Sequence, residues 1–378
     1  MNDHDEKQSK TRPAYLIAGG GTGGHLYPAI AIADGIRKSR PESDIHFVGT
    51  AKGLESRIVP RHGYPLHLIT VRGMARHFTL ANVMVPFRLA YSMMQCFSLL
   101  RRIRPRVVIG TGGYVSGPVV YSATLLGYRT LVQEQNSVPG VTTRLLASRV
   151  DRVHLSFNAS KSYFKKTKNL HVTGNPIRAF DLIYSAQSAR NHFGLAPNRP
   201  TLLLFGGSQG AMSLNRALID ALETLMRNSD LQILWSCGSR GFAEAKTAAD
   251  TFQGRIKVIP FIAEMALAYQ ASDLAVCRAG ALTLAEITYC GLPSILVPYP
   301  HAAGGHQEKN ARQMAERGAA ILLPQPELSG ETLARHILSA VEDRAKMKEM
   351  GLTAKSLSYP RATADLVESV FDLEKQAE

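Results

Sequence analysis

Short apolar runs alternate along the chain with longer stretches whose apolar positions recur every three to four residues. The short runs predict strands at 14–18, 45–48, 66–69, 107–110, 130–133 and 152–155. A second set is predicted at 201–205, 231–235, 256–259, 273–277, 294–297 and 319–323. The helical stretches between them predict parallel sheets covered by helices on both faces. The proline-bearing, weakly periodic stretch 174–201 reads as a linker. The expected organisation is therefore α/β, with two Rossmann-like doubly wound domains facing across a cleft. One spans 13–178 and the other 190–356. The tail breaks at Pro360 and resumes as a helix at about 361–376.

The segment 79–106 stands apart. Leu80, Val83, Met84, Phe87, Tyr91 and Met94 fall at helical spacing, and Arg88, Ser92, Gln95 and Arg102 fall on another face. It is too interrupted by polar residues to span a bilayer. Its apolar face either packs on its own sheet or rests on a membrane surface, with arginines on lipid phosphates.

Each set of strands opens on a glycine turn: AGGGTGGH at 18–25 and FGGSQGA at 205–211. Gly19, Gly21 and Gly24 satisfy G-x-G-x-x-G. A dinucleotide site also needs an acid at the end of the second strand, where this chain has Gly49 and Thr50; the first acid afterwards is Glu55. The oxidoreductase reading fails there. Five glycines among the seven residues from Gly19 to His25 exceed what a tight turn requires, and they leave room for another molecule to approach. His25 falls in the first turn of the next helix, and imidazole can accept a proton near neutral pH. It is the candidate general base.

In the second half, the turn around Ser208, Gln209 and Gly210 opens a helix suited to a diphosphate. The P-loop pattern is absent. Thr283 and Glu286 form T-x-x-E, which predicts a capping box; the competing reading puts the Glu286 carboxylate on a ribose. The stretch from Pro298 to His301 and from His306 to Asn310 supplies polar side chains suited to sugar hydroxyls. No metal-ligand pattern is evident, and Cys96, Cys237, Cys277 and Cys290 form neither a disulfide framework nor a zinc signature. A reducing cytoplasm is the simplest setting.

Charge adds a partner class. Residues 1–178 carry 25 Lys/Arg against 9 Asp/Glu, whereas the remainder carries 19 against 21. Ten arginines and no acid lie between Glu55 and Glu134. The first domain should therefore meet an anionic surface or substrate. The polar residues 1–13 are not a signal peptide and are expected to be disordered.

The motifs GGGTGGH (19–25), GTGGYVSGP (110–118), EQN (134–136), GNPIR (174–178), GGSQGA (206–211), RAGALTLAE (278–286) and HQEKNA (306–311) occur in that order. Over roughly residues 13–370 the chain resembles the MurG family. The resemblance implies a glycosyltransferase B fold, with the C-terminal helix at about 361–376 packing back on the first domain. It also implies an inverting transfer of N-acetylglucosamine from UDP-N-acetylglucosamine to the C4 hydroxyl of N-acetylmuramic acid in lipid I, forming lipid II for peptidoglycan. It implies no required cofactor and a peripheral place on the cytoplasmic face of the inner membrane. The anionic membrane surface and cell-wall synthesis and division proteins are the implied partners, and nucleic acid is not. Carried over by position, the donor residues are Thr22, Gly23, Gly24, Asn136, Arg178, Ser208, Gln209, Gly210, Ile262, Ala281, Leu282, Thr283, Glu286 and Gln307. Tyr114 and Glu134 fall on the acceptor side, with Glu134 the alternative base. Arg72, Arg76, Phe87 and Arg88 fall on the membrane flank. The chain departs from the family's pattern at Gln133, where His is common, and at Gly304 and Gly305, where acids are common.

Overall fold

The computed structural model describes residues 12–71, 85–165, 168–178, 183–207, 210–252 and 254–376, without the side chains of 85–88. The expectations for residues 1–11, Arg72, Arg76, Ser208 and Gln209, and for the side chains of Phe87 and Arg88, lie outside the described residues.

The chain divides into two compact units. One comprises the residues up to Gln135, Pro139–Arg178 and those from Arg361 onward; the other comprises Asn136–Val138 and Ala179–Pro360. The first holds β1 (Ala14–Gly19), β2 (Asp44–Gly49), β3 (Leu66–Leu68), β4 (Val107–Gly112), β5 (Arg129–Glu134), β6 (Arg152–Leu155) and β7 (Leu170–Val172). They form a parallel sheet in the order β3-β2-β1-β4-β5-β6-β7. The second holds β8 (Thr201–Phe205), β9 (Gln232–Ser236), β10 (Ile256–Ile259), β11 (Leu274–Cys277), β12 (Ser294–Leu296) and β13 (Ile321–Leu322). Their order is β10-β9-β8-β11-β12-β13, again parallel. The central strands are apolar without alternation because helices cover both of their faces. Tyr15, Leu16, Ile17 and Ala18 of β1 are all fully buried.

Three expectations change. Strand β7 was not predicted; LHV is short and its middle residue is exposed, so it lacks an apolar run. The predicted linker contains the helix Ala186–His192, capped by Ser185, whose hydroxyl accepts from the Ser188 N–H. Three residues from an N-cap serine replace periodicity as the signal there. The helix Val85–Ile103 turns inward the face of Ser92 and Gln95, which its residue types predict to be polar and outward. Ser92 is buried and Gln95 accepts from the Thr70 N–H, while Tyr91 and Met94 are exposed. Cys96, Leu99 and Leu100 supply the packing instead.

The C-terminal helix Ala362–Lys375 packs on the first unit. Leu366, Val367, Val370 and Leu373 join the core formed by β1 and the helix Gly23–Ser39. Tyr15 Oη donates to Glu374 Oε2 (2.8 Å), and Arg40 bonds to the same carboxylate while stacking on Phe371. On the far side of the helix's turn, Ser369 meets Arg152 (2.7 Å) and His154 Nε2 (2.8 Å).

Candidate functional site

In the first unit, β1 ends in the glycine turn and the helix Gly23–Ser39 follows at once. Its N-cap, Thr22, makes no side-chain capping bond, so no capping side chain occupies the first N–H groups of the helix. Gly21 takes φ +84°, and a Cβ there would press on the Tyr114 ring at 3.1 Å. The turn is anchored from below by Glu55, which is fully buried. Its Oε2 accepts from the Gly21 N–H and its Oε1 accepts from the Thr50 N–H and hydroxyl, each at 2.9 Å. Burial alone would raise this carboxyl's pKa. The amides of Gly21, Glu55 itself and Thr50, with the Thr50 hydroxyl, outweigh burial and hold it below the ordinary value. Glu55, the first acid after the second strand, is thus the turn's support.

His25 lies in the first turn of that helix. Its Nδ1 is 2.8 Å from Gln135 Oε1 and 3.1 Å from the Thr111 carbonyl, and its own carbonyl accepts from Thr111 Oγ1. The ring packs where Gly112 has no side chain: at φ +98°, a Cβ there would lie 2.7 Å from Nδ1. Tyr114 opens the next helix, Gly113–Leu125. Glu134 ends β5, is buried, and accepts from the Gly140 N–H at 3.0 Å. Arg178 lies over the Tyr27 ring, 5.3 Å from its centroid. Gln133 is fully buried and bonds to Gln135, Ser156 and Asn175, so its side chain serves the interior of this unit.

In the second unit, two helices begin at adjacent strand ends without a side-chain cap. Met212–Asn228 follows β8 through the turn containing Gly206, Gly207 and Gly210, and Ala281–Cys290 follows β11. Uncapped N-termini present N–H groups and positive dipole ends to an anion. Arg278 joins the two turns: it donates to Ser213 Oγ (2.7 Å) and to the carbonyls of Val297 and Pro298. This arginine opens the RAGALTLAE motif, but the sequence pattern gave it no role of its own.

The capping-box expectation is overturned. Gly280 is the N-cap of Ala281–Cys290, which places Thr283 in the first turn and Glu286 well inside the helix. Glu286 is buried and accepts from Tyr269 Oη. Ala281 is buried, Leu282 and Thr283 are half-buried at the same helix start, and Ile262 is buried beyond β10. Gln307 Oε1 accepts from the Tyr299 N–H, in the first turn of the helix His306–Glu316. Asn310 does not present its side chain to a sugar. It is fully buried, accepts from the Ser137 N–H and hydroxyl, and donates to the Ala279 carbonyl. Asn136 belongs to the same short segment, Asn136–Val138. Gly304 and Gly305 take φ +63° and +65°, a left-handed pair that acidic residues would adopt only under strain.

Among the described residues, no three His, Cys, Asp or Glu side chains converge as metal ligands, and no helix is long and apolar enough to cross a membrane.

Residues 15–155 match the glycosyltransferase family 28 N-terminal domain, and residues 201–366 match the glycosyltransferase family 28 C-terminal domain. The chain is similar to the UDP-N-acetylglucosamine--N-acetylmuramyl-(pentapeptide) pyrophosphoryl-undecaprenol N-acetylglucosamine transferase of Chlorobaculum parvum. The two are 45% identical over 95% of this chain and 99% of that protein. The protein of the same name from Desulforudis audaxviator is 42% identical, over 95% and 96%. Among solved structures, MurG from Acinetobacter baumannii superposes with a TM-score of 0.77 at 28% identity, covering 96% of this chain and all of that one. A UDP-N-acetylglucosamine 2-epimerase has a TM-score of 0.65 at 16% identity over 97% and 98%, a likeness of fold alone. The two parallel-sheet units are those of the glycosyltransferase B fold, and the chain belongs to the MurG family of glycosyltransferases.

Proposed function

We propose that this protein transfers N-acetylglucosamine from UDP-N-acetylglucosamine to the C4 hydroxyl of N-acetylmuramic acid in undecaprenyl-linked lipid I, giving lipid II. The observation that carries this reading is identity above 40%, over nearly the whole chain, with transferases bearing that name.

The chemistry is a single displacement with inversion. The acceptor O4 attacks the anomeric carbon, the bond from that carbon to the diphosphate oxygen breaks, and UDP leaves with the electron pair. His25 takes the O4 proton. The developing charge on UDP is met by the uncapped starts of Met212–Asn228 and Ala281–Cys290, with the fixed Arg278 between their turns. Ser208, Gln209 and Gly210 are assigned to the donor diphosphate, as are Ala281, Leu282 and Thr283 in the first turn of the second helix. Glu286 receives the ribose hydroxyls, Ile262 the uracil, and Gln307, Asn136 and Arg178 the donor sugar. Thr22, Gly23 and Gly24, next to His25 in the chain, meet the donor sugar and diphosphate, and Tyr114 lies on the acceptor side. Glu134 is the weaker candidate for the base because its carboxylate already accepts from the Gly140 N–H.

We assign the approach to the membrane to the helices Val85–Ile103 and Val141–Leu146, both packed on Gly113–Leu125. Met94 and Leu145 are each 67% exposed, Tyr91 and Val141 are exposed as well, and Arg101, Arg102 and Arg144 are exposed on the same two helices. Apolar insertion plus cations on lipid phosphates describes a peripheral attachment at the cytoplasmic face. The test is transfer of labelled sugar from UDP-N-acetylglucosamine to a lipid I analogue, with diacylglycerol as the competing acceptor. Label in the lipid I product supports the reading; label only in a diacylglycerol product, or free UDP-N-acetylmannosamine without transfer, overturns it.

A further inference from the structure

The side-chain amides of Gln133 and Gln135 have only one orientation that fits their neighbours, and that orientation decides which nitrogen of His25 carries the proton. Amide orientations follow from the surrounding donors and acceptors. The end of Gln135 directed into the sheet lies 2.7 Å from the Thr111 carbonyl and 3.2 Å from the Gln133 carbonyl. Both are backbone oxygens that can only accept, so this end of Gln135 is the NH₂. Gln133 must then turn its own oxygen toward Gln135, with which it makes a close bond. Its NH₂ faces Ser156 Oγ (3.1 Å) and Asn175 Oδ1 (3.4 Å). The orientation therefore propagates outward from two main-chain carbonyls and leaves no choice along the row.

The other end of Gln135 is its oxygen, 2.8 Å from His25 Nδ1. A second acceptor, the Thr111 carbonyl, lies 3.1 Å from the same nitrogen. With two acceptors and no donor facing it, Nδ1 must carry the hydrogen. In neutral imidazole the lone pair then belongs to Nε2.

We infer that Gln135, itself oriented by Gln133, is a positioning residue that holds His25 in the Nδ1–H form, so that Nε2 is the proton acceptor of the transfer. The inference rests on His25 being the base. It supplies a role for Gln135, buried at 2% exposure, and for Gln133, fully buried, that neither has as a ligand of donor or acceptor. The row carries no titratable group between Gln133 and His25, so the tautomer is set by hydrogen-bond direction and not by a neighbouring charge.

Nitrogen-15 NMR of the histidine-labelled protein above pH 8, with the His25 signals identified by their loss in His25→Gln, reads the tautomer directly. The expected result is a protonated, pyrrole-type Nδ1 and an unprotonated, pyridine-type Nε2; a protonated Nε2 overturns the inference. Gln135→Met removes the acceptor at similar volume. It should shift population toward the Nε2–H form and lower kcat at least tenfold, with KM for UDP-N-acetylglucosamine within about twofold. Gln135→Glu keeps an oxygen at Nδ1, and its second oxygen, set among the Thr111 and Gln133 carbonyls, must be protonated to fit. It should restore the wild-type tautomer and most of the lost turnover. An unchanged tautomer and kcat in Gln135→Met would remove Gln135 from the account, whatever the role of His25. Full turnover in a His25 variant, with the wild-type tautomer as described, would instead remove the base and leave the hydrogen-bond assignment standing.

Discussion

The phenol of Tyr269 donates a 2.7 Å hydrogen bond to Oε2 of Glu286, and both side chains are buried. Burial first, and the Glu286 charge second, push the phenol well above its ordinary range, so it remains a donor at any working pH. A charge-assisted bond of this kind fixes the direction of the carboxylate. Tyr269→Phe should therefore raise KM for UDP-N-acetylglucosamine about tenfold, since a hydrogen bond to a charged group is worth ~1.5–3 kcal/mol. Glu286→Gln should do the same or more. Steady-state kinetics beside a thermal melt decide the matter: a lower melting temperature with unchanged KM would make the pair structural only.

Glu55 predicts a stability effect with a defined sign. Its folded pKa is held below the ordinary glutamate value. Its contribution is therefore complete above the unfolded pKa and is lost as pH falls through the folded one. Glu55→Gln should cost ~1–3 kcal/mol at pH 7, because the Gly21 and Thr50 donors lose a charged acceptor. Urea unfolding at pH 7 and near pH 3 should show the difference between wild type and variant shrinking in acid. A constant difference would contradict the assignment.

The C-terminal helix carries a second acid-sensitive joint. Burial first, then His171 and Arg152, lower the His154 pKa from 6.5 to about 3. The unfolded state takes up a proton near pH 6.5 and the folded state does not. Stability present above that value should fall progressively toward pH 3. His154 contacts Ser369, so the loss should appear as release of the Ala362–Lys375 helix. Hydrogen exchange of that helix at pH 7 and pH 5 measures it. His154→Gln should flatten the dependence; an equal response in both proteins would place the sensitive group elsewhere.

Membrane attachment predicts binding to anionic vesicles that weakens as salt rises. Met94→Gln combined with Leu145→Gln should weaken binding tenfold or more, because inserting each apolar side chain contributes on the order of 1 kcal/mol. Binding that ignores both salt and the double substitution would remove these two helices from the interface.

Much of the fold can be read from the sequence because the central strands are continuous apolar runs between glycine turns. Both turns, and His25 at the start of a helix, stand out by composition. The supporting residues do not. Glu55, Thr111, Gln135 and Tyr269 act across 34 to 110 positions of sequence or from neighbouring helices, and only folding brings them to their partners. T-x-x-E misled because the spacing of a capping box also occurs one turn inside a helix that starts at glycine. Ser92 misled because a buried serine is polar by composition and interior by position. The exposed Tyr91 and Met94 invert the usual rule that the apolar face of a helix turns inward.

The central claim is that His25 removes the proton in sugar transfer by a member of this family. Single-turnover transfer by His25→Ala, measured beside UDP binding by calorimetry, tests it most directly. The transfer rate should fall about 10²–10⁴-fold, with UDP affinity changed less than about twofold. Transfer within about threefold of wild type would contradict it.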